Sequence, residues 1–468
     1  MSRDLRPWLV AAGLWFVLAL HALPDTRPPS GVWGGSPILA FSPVVRWLAV
    51  GLAAFLALPP VSGFLARVAR PRAQALAREV RGVPPVVWIA LLVALAWLIR
   101  SHVLYGDGAA TIENLRWGEL INYKEPLDRL ITALVYRAGR ALTGWDAGTA
   151  IALVSTVAGG LYWGAVLRFA RSKPLGPGSA WIPWLLLATP GTTQLFCGYV
   201  ENYSLLSAGT AWTLVLALEA ATNREKRLWQ PALAFGLTLA THLSAIWLGA
   251  AMPVLWLVRL RAADGGSTRG WIGLRSAIRE AACGALVAAV PLTVVSVGMA
   301  ASGMTLARFS ATEFGGGDGK LFVPLHAVRT PFERFTMFSS AHFAAFGNEL
   351  LLVVPAGLVL ALLGWLGHRR SDGRTDAGTW PLLAAAVGTV LYAFVFNPDM
   401  MVANPALGVM NEWDLFSFEA IPISFLGVWW LRTAFDAGDQ RDGVALAIGA
   451  TALLHVVGWL CLNAHIVI

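Results

Sequence analysis

Residues 228–258 read LWQPALAFGLTLATHLSAIWLGAAMPVLWLV, a stretch in which His242 is the only titratable side chain. A helix needs about 20 apolar residues to cross about 30 Å of hydrocarbon, so this stretch is too long for one crossing and short for two. Arg224, Lys226 and Arg227 precede it, and Arg259 and Arg261 follow it. Cationic flanks mark the cytoplasmic ends of spans, which places both ends inside. The stretch is therefore expected to be a tight hairpin, with Thr241, His242 and Ser244 at its tip on the outer face.

Working outward, apolar runs of span length begin near Pro7, Val44, Pro85, Gly148, Ala180, Tyr203, Ala281, Glu349, Trp380, Phe416 and Val444. With the two arms of the hairpin this makes about thirteen crossings. The expected fold is an all-α polytopic transmembrane bundle in the cell membrane, with the N-terminus cytoplasmic and the C-terminus extracytoplasmic. The run from Pro7 to Leu23 follows a basic start but leads to no clear small-residue cleavage site, so it reads as a retained anchor. Three parts are expected: residues 1–84 as accessory helices, 85–301 as the module carrying the first external loop at 105–147, and 302–468 with external loops at 302–348 and 397–415.

Composition agrees. Apolar residues make up 57% of the chain and charged residues 13%, against about 25% charged in ordinary soluble proteins. The net charge of +8 is scattered in short clusters between apolar runs, unlike the basic stripe of a nucleic-acid binder, so no nucleic acid is expected as a partner. Cys197, Cys283 and Cys461 have neither metal-ligand spacing nor a disulfide framework.

The long loops share the external face, and such loops are where binding and catalytic residues concentrate. The first opens Tyr105-Gly106-Asp107-Gly108, a carboxylate between two glycines that let a substrate approach the backbone. Asp107 is the leading catalytic candidate, although an aspartate before a helix also serves as a simple cap. Ile112, Leu115, Leu120 and Ile121 then interleave with Glu113, Arg116 and Glu119, the pattern of a short amphipathic helix on the membrane surface. Lys124-Glu125-Pro126-Leu127-Asp128-Arg129 starts another helix, with Pro126 in its first turn.

Further along, Gly198-Tyr199-Val200-Glu201-Asn202-Tyr203 puts Glu201 at the external mouth between two apolar spans, where an acid is expensive and functional by default. His242 faces the same side and could bind phosphate or move a proton. The second loop carries the flexible run Gly315 to Lys320 with His326, Arg329, Arg334 and His342. The third carries Asn411-Glu412-Trp413-Asp414-Leu415-Phe416, two acids beside an aromatic on which a sugar could stack.

Taken together, these motifs resemble the GT-C superfamily of polytopic glycosyltransferases, which includes protein mannosyltransferases and aminoarabinose transferases of lipid A. The resemblance covers most of the chain from about Pro85. It rests on Gly106-Asp107-Gly108, Glu125-Pro126-Leu127, Gly198 to Tyr203, and Glu412 to Phe416, in that order. Two features depart from the family pattern: the acidic loop follows the third span rather than the first, and Asp107 has no acidic neighbour.

The resemblance implies inverting transfer of a hexose or pentose from a polyprenyl-phosphate-linked donor to a glycan, lipid or protein acceptor on the extracytoplasmic face. It implies catalytic roles for Asp107, as general base, and Glu201. The external cations available to the leaving phosphate are Arg116, Lys124, Arg129, His242, Arg329 and Arg334, of which one or two would touch it, Arg129 and Lys124 first. Glu125, Trp413 and Asp414 complete the substrate-binding set. Membrane lipid is the remaining partner. No cofactor or obligatory metal is expected, although Asp107 and Glu201 together offer the hard oxygen ligands that a divalent cation takes. Exchange of Glu201 for glutamine is expected to cause a large loss of activity without loss of insertion, because a neutral amide is cheaper in the membrane than a carboxylate.

Two other classes compete. A transporter or flippase of a lipid-linked sugar would place ionisable groups near the bilayer midplane, whereas here the spans are nearly clean apart from ends such as Arg46, Arg100 and Glu219. A non-catalytic scaffold would use the long loops for docking.

Overall fold

A computed structural model describes residues 5–23, 31–81, 83–172, 179, 181–223, 225–263, 270–304, 322–329, 333–370, 376–397, 408–436 and 438–466. The glycine run from Gly315 to Lys320 lies outside the described residues.

The described chain is helical, as it must be if apolar segments are to satisfy their own backbone groups in lipid. In order, the helices are α1 (Arg6–Ala22), α2 (Pro43–Leu56), α3 (Pro59–Arg81), α4 (Pro85–Leu98), α5 (Gly108–Arg116), α6 (Pro126–Thr143), α7 (Ala147–Ser172), α8 (Trp181–Ala188) and α9 (Tyr203–Thr222). They continue with α10 (Trp229–Thr241), α11 (Ala251–Ala263), α12 (Gly270–Ala301), α13 (Ser340–Val353), α14 (Gly357–Arg370), α15 (Thr379–Val395), α16 (Trp413–Ser417), α17 (Ala420–Ala434) and α18 (Asp439–Asn463). Five helical segments among the described residues are long and apolar enough to cross a membrane, or eight if each bent pair counts as one span. Three more apolar helices, α1, α4 and α15, are shorter.

Two runs expected to be straight are broken. Between α13 and α14 the axis bends by 87°, because Pro355 follows Val354 and proline excludes the helical conformation from the residue before it. Val354 accordingly has φ −143° and ψ 73°. A second bend, of 56°, separates the segment Met410–Ser417 from α17.

The hairpin stretch breaks at His242, which is extended (φ −153°, ψ 131°) between α10 and the 3-10 turn Leu243–Ala250. Both arms pack on α9 and α12. The second arm, Leu243–Arg261, is long enough to cross by itself, while α10 has 13 residues.

Helices α7, α9 and α18 are largely enclosed by their neighbours, whereas α12 is mostly exposed. The core they build includes Tyr162, Phe169, Phe425, Trp429 and Trp459.

Ion pairs sort to the two ends of the bundle. At one end Arg168 pairs with Glu219 at 2.8 Å, Arg67 with Asp439 at 2.7 Å and Arg432 with Asp376 at 2.5 Å. These are segments that the arginine pattern assigns to one face. At the other end, the loop after α4 meets the end of α18 and the loop before α9. The 25 residues of α18 separate the two ends by about 37 Å.

Candidate active site

The chain leaving α4 is clamped before it reaches Asp107. Ser101 N–H donates to the Cys197 carbonyl at 2.7 Å, and His102 N–H donates to the Asn463 carbonyl at 2.8 Å. The Tyr105 hydroxyl donates to Asn463 Oδ1 at 2.9 Å. Gly106 then turns the backbone with φ +49°, a conformation open to glycine, and its N–H donates to Asn411 Oδ1 at 3.3 Å. Asp107 stands at the cap position of α5 with φ −85° and ψ 8°, yet its side chain makes no capping hydrogen bond. Its carboxylate is exposed at the mouth of the site.

Behind this turn lie the acids of two other segments. A methyl group placed on Gly106 would stand 3.3 Å from Glu201 Oε1 and 3.5 Å from Asp414 Oδ2. One placed on Gly108 would stand 2.7 Å from the Val200 carbonyl oxygen, closer than packing allows. The Gly108→Ala variant is therefore expected to lose about 1–3 kcal/mol of stability and to displace Asp107. Thermal unfolding in detergent, read beside activity, checks this; an unchanged melting temperature with full activity would show that the contact is not tight.

Glu201 and Asp414 are both buried, and Glu201 Oε1 has no hydrogen-bond partner among the described residues. Burial, reinforced by the charges of Asp414, Asp107, Glu412 and Glu125, pushes the Glu201 carboxyl far above the usual carboxylate range. Beneath the acids is an aromatic floor. Tyr105 stacks on Tyr199 with ring centroids 6.1 Å apart, and Trp413 meets Tyr199 at 5.1 Å. The Tyr199 hydroxyl donates to Asp414 Oδ2 at 3.3 Å. Trp413 is thus fully buried as part of the floor and offers no open face for a sugar to stack on.

A second polar cluster adjoins the first. Glu125, capping α6, receives Asn202 Nδ2 at 3.3 Å and is held by Asn122 as well. His242 Nδ1 accepts the Ser244 N–H at 3.1 Å, which leaves the proton of the neutral ring on Nε2, 3.7 Å from Glu125 Oε1. Burial keeps this imidazole neutral, pushing it down to about 4. The hairpin tip is fixed to the first loop by the Leu243 N–H, which donates to the Lys124 carbonyl at 2.8 Å.

Arg129 is buried, with Nη1 donating to the Thr111 carbonyl at 3.3 Å, Nε 3.3 Å from Glu119 and Nη2 3.9 Å from Glu125. Its charge is thus spent joining α5 to α6. Lys124 and Arg116 are exposed, Arg116 lying 3.9 Å from Glu113. Arg329 and Arg334 are exposed on the second loop. Among the described residues, no three His, Cys, Asp and Glu side chains are arranged to hold a metal ion.

Several partners escaped the sequence reading. Asn411 and Asn202 sit inside quoted motifs, but nothing marked an amide as the holder of a glycine turn or of Glu125. Asn463, at the end of an apolar helix, carried no signal. Glu349 and Glu419 are buried, with both oxygens of each unbonded among the described residues. They show that the helical core is less free of acids than the apolar pattern suggested.

Fold and site together define a multi-pass helical membrane protein with a cluster of carboxylates on an aromatic floor at one end. The chain is similar to crystal structures of ArnT from Cupriavidus metallidurans, one in the apo state and one bound to undecaprenyl phosphate. Each match has a TM-score of 0.49 and 14% identity, over 81% of this chain and 77% of that one. No family model and no curated protein matches the sequence.

Proposed function

We propose that this protein is a membrane glycosyltransferase that moves a sugar from a polyprenyl-phosphate donor to an acceptor hydroxyl on the extracytoplasmic face. The observation that carries this reading is the meeting of Asp107, Glu201 and Asp414, from three segments far apart in sequence, around the glycine turn at 106–108. Each belongs to a motif on which the sequence resemblance rests. Exposed Leu104 borders the same turn, and Leu98 and Trp117, the last 82% exposed, lie on the segments that lead into and out of it. Such apolar side chains suit a site fed from the lipid phase.

In the proposed reaction the acceptor oxygen attacks the anomeric carbon as Asp107 takes its proton. The bond from the anomeric carbon to the phosphate oxygen breaks, and polyprenyl phosphate leaves from the opposite face with inversion. Neutral Glu201 donates a hydrogen bond that orients the acceptor beside the ionised Asp107. The leaving phosphate needs positive charge, since stabilising developing charge is usually the largest catalytic term. Lys124 and Arg116, exposed on the first loop, are placed to supply it, while Arg129 holds that loop together.

The test is to supply proteoliposomes with polyprenyl-phosphate sugars labelled in the sugar and to follow the label. Release of unlabelled polyprenyl phosphate with label in a new product is the expected result. Label that crosses the bilayer still bonded to its lipid would replace this reading by a flippase.

A further inference from the structure

At the end of the bundle remote from the carboxylates, the N-terminal halves of α1, α3 and α18 surround a cavity of about 490 Å³, within the range of ligand sites. Its walls include Trp8, Phe64, Val444 and Ala447, with Arg67 and Asp439 also lining it. Trp8 and Phe64 are 43% and 59% exposed, so the apolar walls continue outward to the surface.

The guanidinium of Arg67 is oriented by the protein. Its Nε lies 2.7 Å from Asp439 Oδ2, while the side chain as a whole is 69% exposed. Among the described residues, no protein partner is seen for its two Nη groups. The other oxygen of Asp439 is taken by Arg70 Nη1 at 2.9 Å, and Arg70 Nη2 reaches Asp442 at 2.9 Å. Asp442 Oδ1 meets Arg441 at 3.4 Å. Asp439 is thus shared between Arg67 and Arg70, and the outward part of the cluster is the Arg67 fork. The dipoles of three helices that begin here add positive potential.

We infer that this crevice binds one phospholipid of the leaflet on that face, its phosphodiester on the Nη groups of Arg67 and one acyl chain against the exposed Trp8 and Phe64. A guanidinium fork suits a phosphate's paired oxygens, and a basic side chain at the headgroup level favours an anionic lipid. The apolar walls exclude a free phosphate as the whole ligand, and the oriented arginine excludes a purely hydrocarbon occupant. The site is distinct from the proposed transferase centre, about the length of α18 away.

Native mass spectrometry of the full chain in a non-ionic detergent, titrated with dioleoyl phosphatidylglycerol, tests this. The expected result is one lipid retained by the wild type and lost from Gly63→Trp, which puts a large side chain where the crevice lining has open space. Arg67→Gln, an exposed change that leaves folding intact, should weaken retention by about five- to tenfold, and Arg67→Lys by less. Equal retention of phosphate-free dioleoylglycerol, or wild-type affinity in Arg67→Gln, would overturn the proposal. Equally good competition by glycerophosphoglycerol, which has no acyl chains, would also overturn it, because the headgroup alone would then account for binding.

Discussion

Asp107→Asn is expected to lower the rate of sugar transfer by about 10²- to 10⁴-fold, the range over which a positioned general base acts. The amide keeps the size and polarity of the carboxylate but cannot accept a proton from the attacking hydroxyl. Because the native side chain makes no capping hydrogen bond and is exposed, the isosteric amide is expected to leave α5 in place. Melting temperature and membrane insertion should therefore match the wild type. The loss should fall on kcat, since the proton moves only as the bond forms. Full transfer by the variant, at equal protein level in proteoliposomes supplied with donor, would remove Asp107 from the base role.

Glu201 gives the second large effect, and its burial reverses an expectation. Read as an ionised acid at a membrane mouth, Glu201 should not tolerate an amide. In the structure it is 5% exposed and crowded by other carboxylates, so its neutral form is the stable one and glutamine is the closer mimic. Glu201→Gln is expected to keep activity within about tenfold of the wild type, whereas Glu201→Ala, which removes the donor and leaves a cavity, should lose about 10²-fold.

The pH dependence follows with a definite sign. The folded-state affinity of Glu201 for its proton is raised above that of the unfolded chain, so its contribution to stability is present at low pH and is lost as pH rises through the folded value. Ionisation there also adds a second negative charge behind Asp107. Wild-type activity should fall on the alkaline side, and Glu201→Gln should lack that fall. Transfer rates for both proteins, measured from acidic to alkaline pH, decide the matter. A glutamine variant as inactive as the alanine variant would show that the ionised carboxylate is required.

Much of this was legible in the chain, for physical reasons. Uncharged runs of span length force helices in lipid, and arginines at their ends sort the two faces, so Arg67 meets Asp439 and Arg168 meets Glu219 as the pattern requires. The motifs around Asp107, Glu201 and Asp414 were visible because glycine, acid and aromatic residues stand out in an apolar background. Their arrangement was not visible. The fate of Arg129 depends on Glu119 and the Thr111 carbonyl folding back on it, and Trp413 becomes floor only because Tyr199 covers it. The bend at Val354 could have been read from Pro355, and the break before α17 from Pro422, which lacks the N–H that a continuous helix would donate to Phe418.

The clamp on the loop before Asp107 also bears on timing. Its hydrogen bonds run from Ser101 to Cys197, from Gly106 to Asn411, and from His102 and Tyr105 to Asn463. A ribosome delivers these partners in sequence, and the last of them belongs to the final described helix. During synthesis the early loop has its acid before any of these partners exists, so its fastenings close one after another as the later segments arrive. On the proposed transferase reading, the centre is complete only once the end of α18 has reached its place, and catalytic competence would report finished assembly.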